Sequence, residues 1–488
     1  MNAPAHCHWQ LPDVYLAKVK TDSMKRLLMY FCRFLALSAL TFLLGYGPIS
    51  QTVAENYPQF RGAEQNGNSI KPLPVEWQDI DGQSSGVRWK VKTVGEGWSQ
   101  PIVWGSQVIY TEAVPVDQSQ AKATRPERYN GGYGRDRDDL VNVSYEYRVN
   151  CLDRGTGRMI WSRVVKTGKP PLPRHTTNTY ATETPATDGE RIYAYFGMNG
   201  LYCLSMDGDV LWQKDLGVFP MRAGWGTSSS VALHQESLFL QIDNEEQSFA
   251  VCLEAKTGAE KWKINRDEKS QYSSPFIWQN SIRTELILGG MVYRAYDIDS
   301  GELLWSIDMD KGRSSATPIA VGDQLFIGNE FRNRGGSDDG GGRLYCISPG
   351  GQGDLSLADE MMSGPNVRWR MDDSGIQMAS PVHCQGYLYF FQRRAGIVTC
   401  VRASNGEKVF ESRVRGAKSF WSSPWSDGHR VYALDASGNT HIFTPGDELE
   451  TLAVNPLDQM SWASPALSDG NLFLRTIDHL YCIDGQSH

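Results

Sequence analysis

Short segments in which hydrophobic and polar residues alternate recur along most of the chain, from residue 87 to the C-terminus. Arg191–Tyr195 and Tyr387–Phe391 are two examples, and both are rich in aromatic residues. Alternation with a period of two residues is typical of β-strands. The pattern therefore predicts an all-β chain built from many short strands.

A repeated signature precedes these strands. It is a pair of small or hydroxyl-bearing residues followed by proline, then a turn and an aromatic-rich strand. The copies are Ser99–Pro101, Glu183–Pro185, Ser273–Pro275, Ala316–Pro318, Ala379–Pro381, Ser422–Pro424 and Ala463–Pro465, with an eighth copy, Ser228–Ser230, that lacks the proline. A fixed signature that returns every 40 to 60 residues or so is typical of repeat architectures.

A second signature follows the first in each unit. A Cys or Ala on one strand is followed by an acidic residue, a turn that contains glycine, and a stretch that ends in tryptophan. Cys151 and Trp161 are ten residues apart, as are Cys252 and Trp262. The signature predicts a β-hairpin whose glycine adopts positive φ and whose Trp packs against the next unit. The predicted repeat tryptophans are Trp89, Trp161, Trp212, Trp262, Trp305 and Trp369.

Units of four short strands that repeat radially predict a β-propeller, and eight copies of the first signature predict eight four-stranded antiparallel blades. The last copy ends at Cys482–Asp484 without an outer strand. An unassigned strand, Val87–Val91, precedes the first copy and carries the expected Trp89. We expect this N-terminal strand to close the last blade, which would remove an exposed sheet edge.

The N-terminus has the pattern of a targeting segment. Basic residues follow Met24, an apolar run extends from Phe34 to Leu44, and Thr52–Ala54 offers small residues for cleavage after Ala54. Such a run is short for a membrane span. The alternative is an uncleaved anchor that begins near Leu27. Either interpretation places the rest of the chain outside the cytoplasmic membrane, as a periplasmic or extracytoplasmic protein that is free or anchored to the inner membrane.

We therefore divide the 488 residues into an upstream extension (1–23), a signal peptide or anchor (24–54), an N-terminal arm (55–86) and the propeller (87–488). The formal net charge is −8, and it is −11 without the five basic and two acidic groups of residues 1–54. A body this acidic lacks the electrostatic footprint of nucleic-acid binding. Membrane contact is expected only through an uncleaved N-terminal segment.

The element Leu-Asp-x-x-Thr-Gly-x-x-x-Trp resembles the repeat of the pyrroloquinoline-quinone-like (PQQ-like) β-propeller family, over about residues 87–488. That family includes quinoprotein alcohol dehydrogenases and the lipoprotein scaffold of the outer-membrane assembly machinery. Tyr57–Gly62 and Tyr180–Tyr195 also resemble secreted members from planctomycete-type bacteria. Because this fold hosts both enzymes and scaffolds, the resemblance says more about structure than about function.

The resemblance to dehydrogenases implies PQQ and calcium as cofactors, with a disulfide between adjacent cysteines beneath the quinone. The sequence has no adjacent cysteine pair and no Cys-x-x-Cys-His haem motif, and the family's calcium ligands and aspartate base have no clear counterparts. Motifs of hydrolases, metalloproteases and nucleotide-binding enzymes are also missing from it. No cofactor is therefore predicted, and PQQ with calcium is kept as an alternative.

The cysteines form no obvious disulfide framework. Six of them occupy one strand position in different units, which Ala295 and Ile442 fill elsewhere, and a slot that accepts Ala, Cys or Ile is a packing position. Cys384 lies apart, with no obvious partner. The equivalent positions of neighbouring blades lie too far apart to be bridged, so free thiols are expected.

Large residues stand just before many proline signatures, where the chain enters the innermost strands. We expect them to ring one mouth of the channel and to bind a ligand, or else to pack into a plug. The candidates are Trp98, Tyr180, Trp225, Tyr272, Met378, Trp421 and Trp462. The polar candidates for calcium or a substrate hydroxyl are Glu183 together with Asp243, Asn244 and Glu245, although an acidic turn is often only solvated. His175, in the loop that enters the second blade, is a weaker candidate.

Two insertions, Val114–Glu146 and Gly350–Asn366, interrupt the repeat and are predicted to be surface loops used in recognition. Together these patterns favour an exported, non-catalytic scaffold or binding protein of the cell envelope. Its expected partners are envelope or secreted proteins, and a glycan is another option. The alternatives are a PQQ- and calcium-dependent dehydrogenase and a carbohydrate-binding or carbohydrate-active propeller.

Overall fold

The strands form eight antiparallel blades of four strands each, one of which gains a fifth, parallel strand, and this confirms the predicted all-β propeller. The computed structural model describes residues 55–124, 126, 138–310, 312–330, 342–372 and 376–485, which belong to one unit, Ala54–His488. The predicted upstream extension and targeting segment, and part of the Val114–Glu146 insertion, lie outside these residues. No helix among the described residues is long and apolar enough to cross a membrane.

The strands follow the chain blade by blade. The arm carries β1 (Gln78–Ile80) and β2 (Gln83–Ser85), and β3 (Val87–Lys92) follows it. The first blade contains β4 (Ile102–Trp104), β5 (Gln107–Pro115), β6 (Tyr145–Asp153) and β7 (Met159–Gly168). The second contains β8 (Ala186–Thr187), β9 (Arg191–Tyr195), β10 (Leu201–Ser205) and β11 (Val210–Lys214), and the third β12 (Ala232–His234), β13 (Ser237–Ile242), β14 (Ser248–Glu254) and β15 (Glu260–Arg266). The fourth contains β16 (Phe276–Gln279), β17 (Thr284–Leu288), β18 (Val292–Asp297) and β19 (Leu303–Asp308).

The second half of the ring repeats this plan. The fifth blade contains β20 (Ile319–Val321), β21 (Gln324–Gly328), β22 (Leu344–Ile347) and β24 (Val367–Met371), and β23 (Gly353–Asp354) lies between the last two in sequence. The sixth contains β25 (Val382–Cys384), β26 (Tyr387–Phe391), β27 (Ile397–Arg402) and β28 (Lys408–Arg413). The seventh contains β29 (Trp425–Ser426), β30 (Val431–Leu434), β31 (Asn439–Thr444) and β32 (Glu450–Pro456), and the eighth β33 (Ala466–Ser468), β34 (Asn471–Arg475) and β35 (His479–Ile483). Short helical turns lie at Gln118–Gln120, Ala121–Thr124, Asp138–Asn142, Gly197–Asn199 and Arg222–Gly224.

The N-terminal strand closes the ring. β3 pairs antiparallel with β35, with Trp89 opposite Cys482 and Lys92 opposite His479. This pairing completes the eighth sheet, as we predicted because the last repeat lacks an outer strand. One detail differs from expectation, because β23 of the fifth-blade insertion pairs in parallel with β19 of the fourth blade and extends that blade to five strands.

The repeat tryptophans join consecutive blades. Trp161 lies opposite Cys151 in its own sheet, its ring packs on Gly208 of the second blade, and its indole Nε1 donates to the Met206 carbonyl at 2.9 Å. The same arrangement recurs for Trp89, Trp212, Trp262 and Trp369. A Cβ atom on Gly208 would lie 2.8 Å from the ring, and its φ is +88°, so both contact and conformation require glycine there. Trp305 is the exception, since its Nε1 donates to Glu285 at 2.7 Å.

The hydrophobic core consists of layers between consecutive blades. One buried layer joins the first and second blades through Ile109, Tyr145 and Ile192, and another joins the fourth and fifth through Ile287 and Leu325. The seven cysteines of residues 55–485 are buried in these layers as free thiols. Each blade therefore buries apolar surface against its neighbours, and Tyr57, Leu73 and Trp77 of the arm pack on the first, seventh and eighth blades.

Candidate ligand site at the channel mouth

The proline signatures line the central channel and join the blades around it. In each of the first seven blades, the backbone N–H of the residue before the proline, or of its equivalent Ser230, donates to the side-chain oxygen of the matching residue in the next blade. The seven hydrogen bonds measure 2.9–3.2 Å and link, in order, Gln100, Thr184, Ser230, Ser274, Thr317, Ser380, Ser423 and Ser464. The hydroxyl residue of the signature is therefore the acceptor that each preceding blade needs.

The N-terminal arm lies across this channel. Tyr57 pairs with Val103 of the first blade, and the Pro58 carbonyl accepts from Thr187 of the second. The Arg61 guanidinium is buried and donates to the carbonyls of Pro381 (2.6 Å) and Pro424 (3.1 Å) in the sixth and seventh blades. Its backbone N–H donates to Gln100, the ring member without a hydroxyl group. Phe60, which precedes Arg61, lines a cavity in the channel.

This cavity has a volume of about 240 Å³ and is lined by residues of all eight blades. One wall is a stack of three indoles. The ring centroids of Trp421 and Trp462 are 4.0 Å apart with the planes 3° from parallel, and Trp98 stacks on Trp462 at 5.9 Å. Trp225 and Tyr272 lie 6.2 Å apart and also line the cavity, with Met378. Such flat surfaces suit a ligand with a planar or apolar face.

The charged residues of the cavity are mostly cationic. Arg313, Arg393 and Arg394 line it, together with a single carboxylate, Glu330. Arg393 and Glu330 form an ion pair at 3.2 Å, and the Arg313 guanidinium lies 4.7 Å from the centre of the Trp225 ring. Guanidinium groups bind anionic groups through charge-assisted hydrogen bonds, so the arginines of the described lining favour an anionic ligand.

Two buried donors at the cavity have no hydrogen-bond partner among the described residues. They are the indole Nε1 of Trp462 and the hydroxyl of Tyr272. Burial raises the pKa of Tyr272, so this hydroxyl keeps its proton and can donate to a ligand. Unsatisfied buried donors are rare in folded proteins and are commonly satisfied by water or a ligand. The cavity therefore offers hydrogen-bond donors to an acceptor group.

The aromatic candidates fall into two groups. Trp98, Trp225, Tyr272, Trp421 and Trp462 line the cavity, and their role in ligand binding stays a prediction. The prediction that Tyr180 rings the mouth was wrong, because Tyr180 is buried in the core between the first and second blades. Its hydroxyl donates to the Leu172 carbonyl at 3.2 Å.

Sequence patterns missed most of the polar residues at the mouth. Arg313, Arg393, Arg394 and Glu330 follow no repeat, and only His175 was named from its loop. In the structure, His175 lines the cavity and its Nδ1 lies 2.7 Å from the Thr177 hydroxyl.

The carboxylate candidates are not arranged as a metal site. Asp243 is paired with Arg266 through two hydrogen bonds of 2.9 and 3.2 Å. Asn244 accepts the backbone N–H groups of its own turn, and Glu245 accepts from the Ser270 hydroxyl at 2.6 Å. Among the described residues, no group of three or more His, Cys, Asp or Glu side chains is positioned to hold a metal ion.

Glu183 is unusual within its repeat. The other seven copies of the signature place Ser or Ala at this position, whereas Glu183 is a buried carboxyl group. Burial raises its pKa to about 7, and a hydrogen bond with Thr227 partly opposes that shift. Its Oε1 has no partner within the described part of the chain. It is absent from the cavity lining, although its neighbours Thr182 and Thr184 are part of it.

Comparisons with known proteins agree with this architecture. The family described as outer membrane protein assembly factor BamB matches residues 199–439. The chain is a PQQ-like repeat β-propeller. BamB from Moraxella catarrhalis is a similar solved structure, with 14% identity over 77% of this chain and 97% of that chain (TM-score 0.50). No curated protein sequence matches the chain significantly.

Quinohaemoprotein alcohol dehydrogenases share the fold of this PQQ-like propeller. The enzyme from Comamonas testosteroni is 10% identical over 89% of this chain and 81% of that chain (TM-score 0.55). The enzyme ADHIIG from Pseudomonas putida is 12% identical over the same shares (TM-score 0.54). Identities this low establish the common fold alone.

The residues of the mouth fit only part of what a calcium-bound quinone requires. The indole stack and the arginines would suit a flat anion, but Glu330 is the one carboxylate in the described lining and it is paired with Arg393. Calcium takes six to eight oxygen ligands, with carboxylates prominent among them. The oxygen ligands of the described lining therefore do not match what a calcium ion bound to a quinone requires.

Proposed function

We propose that this PQQ-like propeller is an exported, non-catalytic binding protein of the cell envelope that holds an anionic ligand with a flat or apolar face at its channel mouth. The observation that carries the proposal is the cavity itself. It combines an indole stack, three arginines and two buried donors that have no partner among the described residues.

Further observations on the sequence and the fold support this proposal. The sequence contains none of the catalytic motifs considered above, and the carboxylate cluster predicted at Asp243–Glu245 is used in hydrogen bonds within the fold. The arm lies across the channel and contributes Phe60 to the cavity lining. The targeting pattern of residues 24–54 and the family match to an assembly factor of the outer membrane support a place in the envelope.

Two probes of opposite charge test the ligand class. Purified residues 55–488 are titrated by calorimetry with naphthalene-1-sulfonate and with 1-naphthylmethylamine, which share one ring system. We expect one sulfonate per chain and at least about tenfold weaker binding of the cationic probe, since the arginines repel it. Arg313→Gln and Trp462→Ala should each weaken sulfonate binding. Arg163→Gln, on the exposed outer strand β7, is the matched control and should leave it unchanged.

Equal affinity for the two probes, or sulfonate binding that survives both mouth substitutions, would contradict the proposal. A role in protein assembly is tested separately. Replacement of residues 116–144, the part of the Val114–Glu146 insertion between β5 and β6, by a short glycine-serine linker should abolish co-purification of envelope proteins if that insertion recognises them, while probe binding at the mouth persists. Quinone-dependent dye reduction, or retention of the chain on a glycan column that depends on Trp421, would favour the enzyme or the carbohydrate alternative instead.

A further inference from the structure

Glu55 is held by an unusually complete set of contacts for a residue at the start of the arm. Its backbone N–H donates to Asp469 Oδ1 at 3.0 Å, and its carboxylate accepts from the backbone N–H groups of Ile70 and Asp469. The Ser69 hydroxyl donates to the same carboxylate, and the Ser468 hydroxyl donates to the Glu55 carbonyl. Glu55 is accordingly buried.

Asp469 connects three parts of the molecule. It lies in the β33–β34 turn of the eighth blade, and it pairs with Lys71 of the arm at 2.6 Å and with Arg154 of the first blade at 2.8 Å. The first and eighth blades meet here, where β3 closes the ring. Burial alone would raise the pKa of Asp469, but the hydrogen bonds from Lys71, Glu55 and Arg154 outweigh it and lower that pKa. Asp469 is therefore an anion at neutral pH.

The targeting pattern predicts that the chain is cut between Ala54 and Glu55, one bond before this contact. An endopeptidase of the export pathway would break that peptide bond with one water molecule, whose oxygen joins the Ala54 carboxyl group. The nitrogen of Glu55 would then become a protonated amine. In the structure, this nitrogen already lies within hydrogen-bonding distance of the Asp469 carboxylate.

We propose that Glu55 is the mature N-terminus and that Asp469 binds its α-ammonium group, so that removal of the targeting segment locks the seam of the propeller. Before the cut, Asp469 receives a neutral N–H group from Glu55. After the cut it receives a cation, and a charged hydrogen bond is stronger than a neutral one. The charged groups that face the new ammonium are Asp469, the Glu55 carboxylate, Lys71 and Arg154.

The first test uses the full chain as it is exported. Mass spectrometry of the protein recovered from the extracytoplasmic fraction should give a first residue of Glu55. A different first residue, or an intact leader, would overturn the proposal.

The second test compares residues 55–488 with residues 52–488, each released from a fusion without added residues. The longer chain replaces the ammonium at residue 55 with a peptide N–H. Asp469→Asn should raise the unfolding equilibrium constant about fivefold to tenfold more in the shorter chain than in the longer one. Asp484→Asn, which removes the partner of Arg88 in the same blade, is the matched control. It should raise the unfolding equilibrium constant by the same factor in both chains.

A pH series gives the same answer without the Asp469 variant. The ion pair raises the pKa of the α-amino group in the folded state above its unfolded value of about 7.7–8.0. Its stabilisation is then fully present below that value and disappears as the pH rises through the folded-state pKa. The stability advantage of residues 55–488 over residues 52–488 should therefore fade between about pH 8 and pH 10. An advantage that is constant with pH, or none at pH 7, would contradict the proposal.

Discussion

Replacement of Arg61 by methionine tests whether the arm stabilises the ring through its guanidinium group. Arg61 is fully buried, and its guanidinium donates to three backbone carbonyls, those of Asn66, Pro381 and Pro424. Burial lowers its pKa to about 10, so it is still a cation at pH 7. Among the described residues, no carboxylate forms an ion pair with Arg61. Methionine fills a similar volume but donates no hydrogen bond.

The expected cost follows from these contacts. Of the three carbonyls, the buried ones are those of Pro381 and Pro424, which directly precede two inner strands. Each loses its donor in the variant at about 1–3 kcal/mol, and removal of the penalty of burying a cation offsets part of that cost. We expect the free energy of unfolding to fall by roughly 2–4 kcal/mol. Arg88→Met is the control, because Arg88 forms a partly exposed pair with Asp484 and its loss should cost less than about 1 kcal/mol.

The assay is urea unfolding, followed both by tryptophan fluorescence and by circular dichroism, since a chain of this size requires a check that the two transitions coincide. Limited proteolysis of the arm provides a second measurement and should be faster in Arg61→Met. If the two arginine variants were equally stable, the arm would contribute nothing through this guanidinium, and our account of how it is anchored would be refuted.

Three further predictions concern the repeats and one carboxyl group. Trp89→Ala and Trp212→Ala should each cost roughly 3–5 kcal/mol in urea, but only the first should also raise the hydrogen-exchange rate of β35 amides, since Trp89 lies on the closing strand. Ser380→Ala should cost about 1–3 kcal/mol by leaving the buried N–H of Thr317 without an acceptor, whereas Ser380→Thr should be nearly neutral. Burial raises the pKa of Glu183, so the folded state holds this proton to a higher pH than the unfolded state does. The free energy of unfolding therefore falls as the pH rises from about 4.5 to 7. Glu183→Gln should therefore match the wild type near pH 4.5 and be roughly 3 kcal/mol more stable at pH 8, and equal stability at pH 8 would contradict the assigned burial.

The blades could be predicted because each is specified within one repeat. The spacing from Cys151 to Trp161 determines a hairpin, and its glycine turn is the surface on which the preceding Trp packs. Closure by β3 could be predicted because a blade without an outer strand leaves an unpaired edge. The hydroxyl of the proline signature was visible as a pattern, but its role as the acceptor for the preceding blade appears only in three dimensions.

The ligand site was harder to predict for physical reasons. Arg313 and Arg393 each occur once, in loops without a repeat, so no periodicity shows that they point into the channel. The arm contacts backbone carbonyls, which have no residue identity to detect. Tyr180 was misplaced because an offset of a residue or two from the repeat position can turn a side chain from the channel to the core.

The closing strand also sets the order in which the molecule can fold. Arg88 and its partner Asp484 are 396 residues apart, and Arg61 requires carbonyls more than 300 residues further along the chain. Loop closure over such distances is slow, and these N-terminal residues emerge first during synthesis or translocation. Arg61 therefore lacks its acceptors at Pro381 and Pro424 until the sixth and seventh blades have been synthesised, and Arg88 has no partner until the eighth. Premature release of the C-terminus, even by the length of β35, would therefore leave both ends of the ring without partners.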